Sequence, residues 1–150
     1  MPKNFDTEVS IVYHREGFES PVGHLVRTKM ESGICQWLMA HGVAHRHASE
    51  VFTVRYGATK APSLFVPDIV LHDKNRDGKF VIIEVVDSYV TKSAGRKLLA
   101  SFRSQSKNDY YIIVVAKRHF MTKVLKSSYD VLIDFKKLDL LERRVLIPER

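Results

Sequence analysis

Residues 64–88, LFVPDIVLHDKNRDGKFVIIEVVDS, decide the fold that we predict for this chain. The apolar stretches FVPDIVL and FVIIEVV are typical of β-strands, and the Asp-Gly pair in the polar residues between them favours a hairpin. Each strand carries one acid where an apolar residue is expected, Asp68 in the first and Glu84 in the second. Charged side chains are rarely buried unless they are paired or bind a metal. Both acids therefore need a partner, and a divalent cation is the natural one.

A helix is predicted for residues 24–41, HLVRTKMESGICQWLMAH. Gly42 follows it, and glycine favours the left-handed backbone that ends many helices. Apolar residues recur on one face of this helix, and Glu31 lies on the same face. An acid there is a third sign of a buried carboxylate. The alternative interpretation is a residue at the rim of the core, paired with Arg27 or Lys29.

The remaining pattern predicts an α/β protein. A β-rich run at residues 51–56 precedes the hairpin, a second helix is expected at 91–103, and the apolar run at 110–116 is typical of a strand buried on both faces. The three strands should form an antiparallel meander, and the second helix should bring 110–116 parallel to 80–86. These elements predict a mixed β-sheet flanked by helices. In the tail we expect a helix at 119–127, a strand at 131–135 and a helix at 138–144.

The composition is that of an ordinary globular chain with a basic surface. Its 150 residues suit one domain, the formal net charge is +7 and the pI is about 9.6. No apolar run approaches the roughly 20 residues of a membrane span, and residues 1–10 lack the apolar core of a signal peptide. We therefore expect a soluble, cytoplasmic protein. A basic surface favours a polyanion such as nucleic acid, although many basic proteins bind none.

The cysteine and the histidines carry weaker signals. Cys35 is the single cysteine, which excludes an intrachain disulfide and a cysteine-rich zinc site, and we predict a small core residue there. His41, His45 and His47 cluster after the first helix, at a spacing that can bind zinc. Because no helical or ribbon pattern carries them and no fourth ligand is evident, we predict a solvated loop that can contact phosphate.

One family resemblance joins these features. The order αβββαβ, the helix acid Glu31, the Pro67-Asp68 dipeptide in one strand and Glu84 in the next together resemble the PD-(D/E)XK nuclease superfamily. This superfamily includes restriction endonucleases, small resolvases and transposon-end nucleases. The resemblance covers about residues 24–116, the core of a single nuclease-like domain at 1–150, and leaves 117–150 as an extension of unassigned role.

The resemblance implies a restriction-endonuclease-like core and a metal-dependent DNA endonuclease that hydrolyses phosphodiester bonds with Mg²⁺ or Mn²⁺. By resemblance, Asp68 and Glu84 would ligate the metal together with the carbonyl of Val85. Glu31 would reach the metal directly or through water. A homodimer is compatible with cutting two strands, and no organic cofactor or membrane is implied.

One departure from the family pattern concerns its lysine, which belongs two residues after the second acid, where this chain has Val86. A valine can neither orient a water nor stabilise charge at a phosphate. Either a lysine of the following helix, Lys92 or Lys97, replaces it, or the metal alone suffices. The third alternative is a catalytically inactive module that binds nucleic acid or a protein partner.

Two further interpretations stay open. The basic residues Arg96, Lys97, Arg103 and Lys107 form either a phosphate-binding stripe or a plain solvated face. The acids, in turn, can belong to an unrelated α/β domain in which they pair with Arg27 or other basic residues.

Overall fold

The structure is a computed structural model and describes residues 18–56, 61–87 and 93–145. In chain order, the elements are β1 (Phe18–Glu19), β2 (Leu25–Val26), α1 (Lys29–Ala40), β3 (His45–His47), β4 (Phe52–Tyr56), β5 (Ala61–Phe65), β6 (Ile69–Leu71), β7 (Phe80–Val86), α2 (Ser93–Ser106), β8 (Tyr110–Ala116), α3 (Arg118–Met121), a 3₁₀ helix (Lys126–Ser128), β9 (Val131–Asp134) and a second 3₁₀ helix (Phe135–Arg143).

The centre of the fold is a five-stranded mixed sheet in the order β3-β6-β7-β8-β9. β3, β6 and β7 pair antiparallel, whereas β8 pairs parallel with β7, and β9 pairs parallel with β8. The predicted mixed sheet flanked by helices is therefore confirmed. The predicted parallel pairing of 110–116 with 80–86 is confirmed as well, with Phe80 opposite Tyr110 and Val86 opposite Ala116.

Alternating side chains of the sheet build two hydrophobic layers, because successive residues of a strand face opposite sides. Ile83 and Ile113 belong to the layer that contains Ile34 and Leu38 of α1. Ile82 and Ile112 belong to the other layer. This second layer contains the α2 residues Leu99 and Phe102 and the β4–β5 residues Val54 and Phe65. The sheet is thus covered on both faces, which explains why β8 is almost continuously apolar.

The predicted meander is right in form but wrong in its first strand. The run at 51–56 becomes β4, which pairs with β5 in a separate two-stranded sheet. The first strand of the meander is instead β3. The stretch FVPDIVL is not one strand, because Phe65 ends β5 and Ile69 begins β6. Pro67 lies between them, and proline has no N–H to continue a strand ladder.

The first helix is shorter than predicted, since α1 begins at Lys29 rather than at residue 24. Thr28 is the N-cap, with an extended backbone (φ −136°, ψ 162°) and a side chain that accepts a hydrogen bond from the Glu31 backbone N–H. Thr-x-x-Glu is the sequence pattern of a helix N-cap. Residues before Thr28 are therefore outside the helix. Gly42 adopts φ +72° after the helix, as predicted.

The tail adds the short helix α3, one strand and two 3₁₀ segments to the fold. The predicted helix at 119–127 is wrong, because α3 ends at Met121 and only a 3₁₀ turn follows, at Lys126–Ser128. The helix expected at 138–144 is a 3₁₀ helix from Phe135, and it packs against α1 at Gly33. A Cβ at Gly33 would lie 2.9 Å from the end of the Phe135 ring, so this approach is close. Within the described ranges, every helix is too short or too polar to cross a bilayer.

Candidate functional site

Asp68 and Glu84, the carboxylate pair, meet where β6 begins beside β7. The backbone N–H of Asp68 donates to Glu84 Oε2 at 2.7 Å, and Asp68 Oδ2 accepts from the backbone N–H of Val85 at 2.9 Å. Asp68 is buried at 5% exposure and Glu84 is half-buried. The hairpin pairing of Ile69 with Ile83 produces this arrangement, because it sets residue 68 beside residue 84.

Arg27, in the turn before α1, supplies positive charge to the carboxylate pair. Its guanidinium forms an ion pair with Asp68 Oδ1, and its side chain as a whole is 42% exposed. Burial raises the pKa of Asp68 to about 6, although Arg27 lowers it. Burial, and then the charge of Asp68, raise the pKa of Glu84 well above its usual value. One guanidinium therefore does not offset the cost of holding both carboxylates charged, and a further cation would be favoured there.

Glu31 is buried at 2% exposure and lies between two groups of polar side chains. Its Oε2 accepts from Nδ1 of His47 at 2.7 Å, and its Oε1 accepts from the backbone N–H of Arg27 at 3.4 Å. Glu31 thus connects, through Arg27, to the carboxylate pair and, through His47, to a second cluster.

The second cluster, the histidine–cysteine group, consists of His24, Cys35, His45 and His47. The Sγ atom of Cys35 lies 3.4 Å from His24 Nδ1, 3.3 Å from His45 Nε2 and 3.3 Å from His47 Nε2. All four potential ligand atoms lie within 4.8 Å of one another. This group can hold a metal ion. Its nitrogen and sulfur donors differ from the oxygen donors that Mg²⁺ prefers.

Three elements bring the histidine–cysteine group together. His45 and His47 lie two residues apart in β3 and so face the same side of the strand. Cys35 lies on α1, and His24 directly precedes β2. Cys35 and His45 are buried, and the side chain of His47 is 6% exposed. Burial lowers the pKa of His45 to about 4 and raises the pKa of the Cys35 thiol.

The predicted solvated histidine loop is therefore wrong. His45 and His47 form a buried strand, and the missing partners are Cys35 and His24. Cys35 is buried, as predicted, but it contacts three imidazoles. Two signals were available in the sequence: the Thr-x-x-Glu cap, which excludes His24 from the helix, and the His-x-His alternation of a strand. His41 lies apart from the group and stacks on Trp37 at 3.8 Å between ring centroids.

The other predicted site residues are placed as follows. Lys97 and Lys107 are exposed on and after α2. Arg103 forms an ion pair with Asp130 at 2.9 Å. Val86 is half-buried and packs in the α2 layer of the core. Lys92 and the side chain of Arg96 lie outside what the structure describes.

Comparisons with known proteins leave the site to be interpreted from its geometry. The chain matches no family model, no curated protein and no solved structure.

Proposed function

We propose that this chain is a metal-dependent DNA endonuclease with a restriction-endonuclease-like core. The observation that carries the proposal is the carboxylate pair. The backbone N–H of Asp68 donates to the Glu84 carboxylate, burial raises the pKa of both acids, and the charge of Asp68 raises the pKa of Glu84 further. Such a pair is stabilised by a divalent cation, and active sites are where such perturbed acids concentrate.

The order and direction of the elements support this fold assignment. α1, β3, β6, β7, α2 and β8 follow one another as helix, three antiparallel strands, helix and parallel strand. This is the αβββαβ order that the sequence resemblance implies. The β4–β5 hairpin is an insertion between the first and second strands of that core.

The donor chemistry of the pair fits Mg²⁺ or Mn²⁺, because both ions prefer carboxylate oxygens. Asp68 and Glu84 would hold the ion. Glu31 would act from the neighbouring helix, with its Oε2 engaged by His47. A bound ion supplies Lewis-acid polarisation of the phosphodiester and a water of lowered pKa.

We assign to Arg27 the role of the family's lysine, whose position is occupied by Val86 in this chain. The Arg27 guanidinium lies beside the carboxylate pair, and the side chain is partly exposed, which leaves room for an incoming phosphate to meet it. A guanidinium offers a planar set of five N–H donors that suits phosphate oxygens. Arg27 would exchange its bond to Asp68 for a bond to the phosphate, where it stabilises developing negative charge.

The test is cleavage of labelled linear duplex, four-way junction, flap and single-stranded DNA with Mg²⁺ or Mn²⁺. The wild type is compared with Asp68→Ala and with the control Asp73→Ala, which removes an exposed acid from the same hairpin. We expect the wild type and Asp73→Ala to cut at least one substrate and Asp68→Ala to cut none. Cutting by a folded Asp68→Ala at the wild-type rate would overturn the proposal.

A second candidate is the inactive module that binds nucleic acid or a protein partner. Two features favour it. Asp68 already has a cationic partner in Arg27, and a valine stands where the family has its lysine. Under this hypothesis no substrate is cut, and the wild type and Asp68→Ala bind DNA equally. Calorimetric titration with Mn²⁺ separates the two, since an inactive module should bind little Mn²⁺.

A further inference from the structure

We propose that His24, Cys35, His45 and His47 bind one Zn²⁺ ion in a closed, structural site, and that Glu31 is a positioning residue that orients His47. The site does not depend on the proposed nuclease activity, although Glu31 contacts both His47 and Arg27. It is carried by the distances, the burial and the hydrogen-bond partners of the four side chains.

The distances from Cys35 Sγ to the three imidazole nitrogens match a four-coordinate zinc. In a tetrahedral site with Zn–S of ~2.3 Å and Zn–N of ~2.0 Å, each sulfur–nitrogen edge is roughly 3.5 Å. The three observed edges from Cys35 Sγ are 3.3, 3.3 and 3.4 Å. The three imidazole rings surround the sulfur at mutual centroid distances of 4.8 to 5.2 Å, and they are tilted by 60° to 73° to one another. No ring is stacked flat against another within the group.

The hydrogen bonds of the group favour a bound cation. His45 Nδ1 lies 3.0 Å from the carbonyl oxygen of Val43, which can only accept, so a neutral His45 has its lone pair on Nε2. His47 Nδ1 likewise donates to the Glu31 carboxylate, which leaves the lone pair of a neutral His47 on Nε2. Both lone pairs face the one sulfur of Cys35. A thiol carries a single proton and cannot satisfy both nitrogens, whereas a metal ion can.

The outer contacts are those of a metal-ligating histidine. Such residues almost always donate their second ring N–H to a carboxylate or a backbone carbonyl. His47 has the carboxylate of Glu31, and His45 has the carbonyl of Val43. The hydroxyl of Ser20 lies 3.7 Å from Cys35 Sγ and can donate to a thiolate.

The donor set selects zinc and a structural role. One thiolate and three imidazoles are ligands that Zn²⁺ binds well, and four protein ligands fill its tetrahedral coordination. Catalytic zinc sites keep one position for water, whereas structural sites do not. The burial of Cys35 and His45 also favours a site closed to substrate.

The first experiment measures metal on the full-length chain purified without chelator. We expect about one zinc per chain by mass spectrometry, and much less in Cys35→Ser and His45→Ala. His72→Ala, which removes an exposed histidine, is the matched control and should retain zinc. Wild-type protein that holds no zinc and takes up none from solution would overturn the proposal.

Cobalt substitution covers the case in which a variant fails to fold. Co²⁺ in place of zinc should give the wild type a thiolate-to-metal charge-transfer absorption and the strong visible bands of a tetrahedral ion. If Cys35→Ser is unfolded, the wild-type spectrum decides alone. Co²⁺ bound without the thiolate band would mean that Cys35 is not a ligand, and the site would be rejected.

The role of Glu31 is tested by zinc affinity, measured by competition with a chromophoric chelator. We expect Glu31→Gln to keep the hydrogen bond to His47 but lose its charge, and Glu31→Ala to lose both. Changes to such outer partners weaken metal binding by about 10- to 100-fold, and the alanine variant should be the weaker. Glu142→Ala, which removes an exposed acid that contacts His41 outside the group, is the control and should keep the wild-type affinity. Wild-type zinc affinity in a folded Glu31→Ala would show that Glu31 has no positioning role.

Discussion

The carboxylate pair and the histidine–cysteine group are both connected to Glu31, one through Arg27 and the other through His47, yet they are opposite in character. The first presents oxygen donors beside the side chain of Arg27, which is 42% exposed, and its acid Glu84 is only half-buried. The second presents nitrogen and sulfur donors around a fully buried Cys35. An open oxygen site suits exchange of water and substrate, whereas a closed site suits a permanent ion. The difference separates a candidate for chemistry from a candidate for holding the fold.

Glu84→Gln should give the largest effect, and it should distinguish the two sites because it acts on DNA cleavage alone. The amide oxygen still accepts from the Asp68 N–H, but the charge at the metal is lost. Loss of several kcal/mol of transition-state stabilisation predicts DNA cleavage slower by about 10³-fold. The zinc content should stay unchanged. Initial cleavage rates with Mg²⁺ and metal analysis check both statements, and a rate within tenfold of wild type would contradict the assignment.

Removal of zinc should lower the stability of the fold through the histidine–cysteine group. A zinc-selective chelator is expected to lower the free energy of unfolding by about 3 kcal/mol, the contribution of an ion present at somewhat more than 100 times its dissociation constant. Urea denaturation with and without chelator measures this difference. Because the effect is assigned to the histidine–cysteine group, Glu84→Gln should lose as much stability as the wild type. A smaller loss in Glu84→Gln would place the stabilising metal at the carboxylate pair.

Arg27→Ala tests whether the guanidinium and a divalent cation stabilise the same two carboxylates, Asp68 and Glu84. The variant leaves Asp68 buried without its ion-pair partner, and since Arg27 is partly exposed we expect a loss of about 2 kcal/mol. Added Mg²⁺ should restore more stability to Arg27→Ala than to the wild type. Arg46→Ala breaks the exposed ion pair with Glu50 and is the control, with almost no expected loss. Equal responses to Mg²⁺ in all three proteins would argue against a cation at the pair.

Thr28→Ala should give the smallest effect and touches neither donor set directly. It removes the N-cap hydrogen bond to the Glu31 backbone, which is worth about 1 kcal/mol in typical helices. Thermal denaturation measures the loss. Thr28→Ser, which keeps a hydroxyl, should recover most of it. A loss well above this value would mean that the cap also fixes the position of Glu31.

The carboxylate pair could be predicted from the sequence, because an acid within an apolar strand is conspicuous and a hairpin is a local connection. Strand β8 was equally evident from its apolar run. β3 was missed, since His45, Arg46 and His47 carry no apolar alternation, and β-propensity favoured the run at 51–56 instead. That run does form a strand. Only tertiary packing decides that it joins a separate hairpin on α2 rather than the central sheet.

The histidine–cysteine group could not be predicted for a related reason. Its four residues come from a loop, a helix and a strand, and the His-x-His spacing of His45 and His47 does not by itself point to His24 or Cys35. The error in the start of α1 compounded this, because a helix that begins at residue 24 would place His24 about three turns away from Cys35. Thr28 is the N-cap of α1, so His24 and Arg27 lie before the helix. There the two residues contact their separate partners.

The positions of the two sites along the chain also bear on how the molecule assembles. The histidine–cysteine group closes between residues 24 and 47, whereas the carboxylate pair needs residues 27, 68 and 84. Closing shorter loops costs less entropy, and the N-terminal part of a chain is synthesised first. A nascent chain therefore contains all four residues of the histidine–cysteine group before Asp68 exists. We expect metal capture to be an early folding event that orders Glu31 and Arg27 ahead of the acids they later meet.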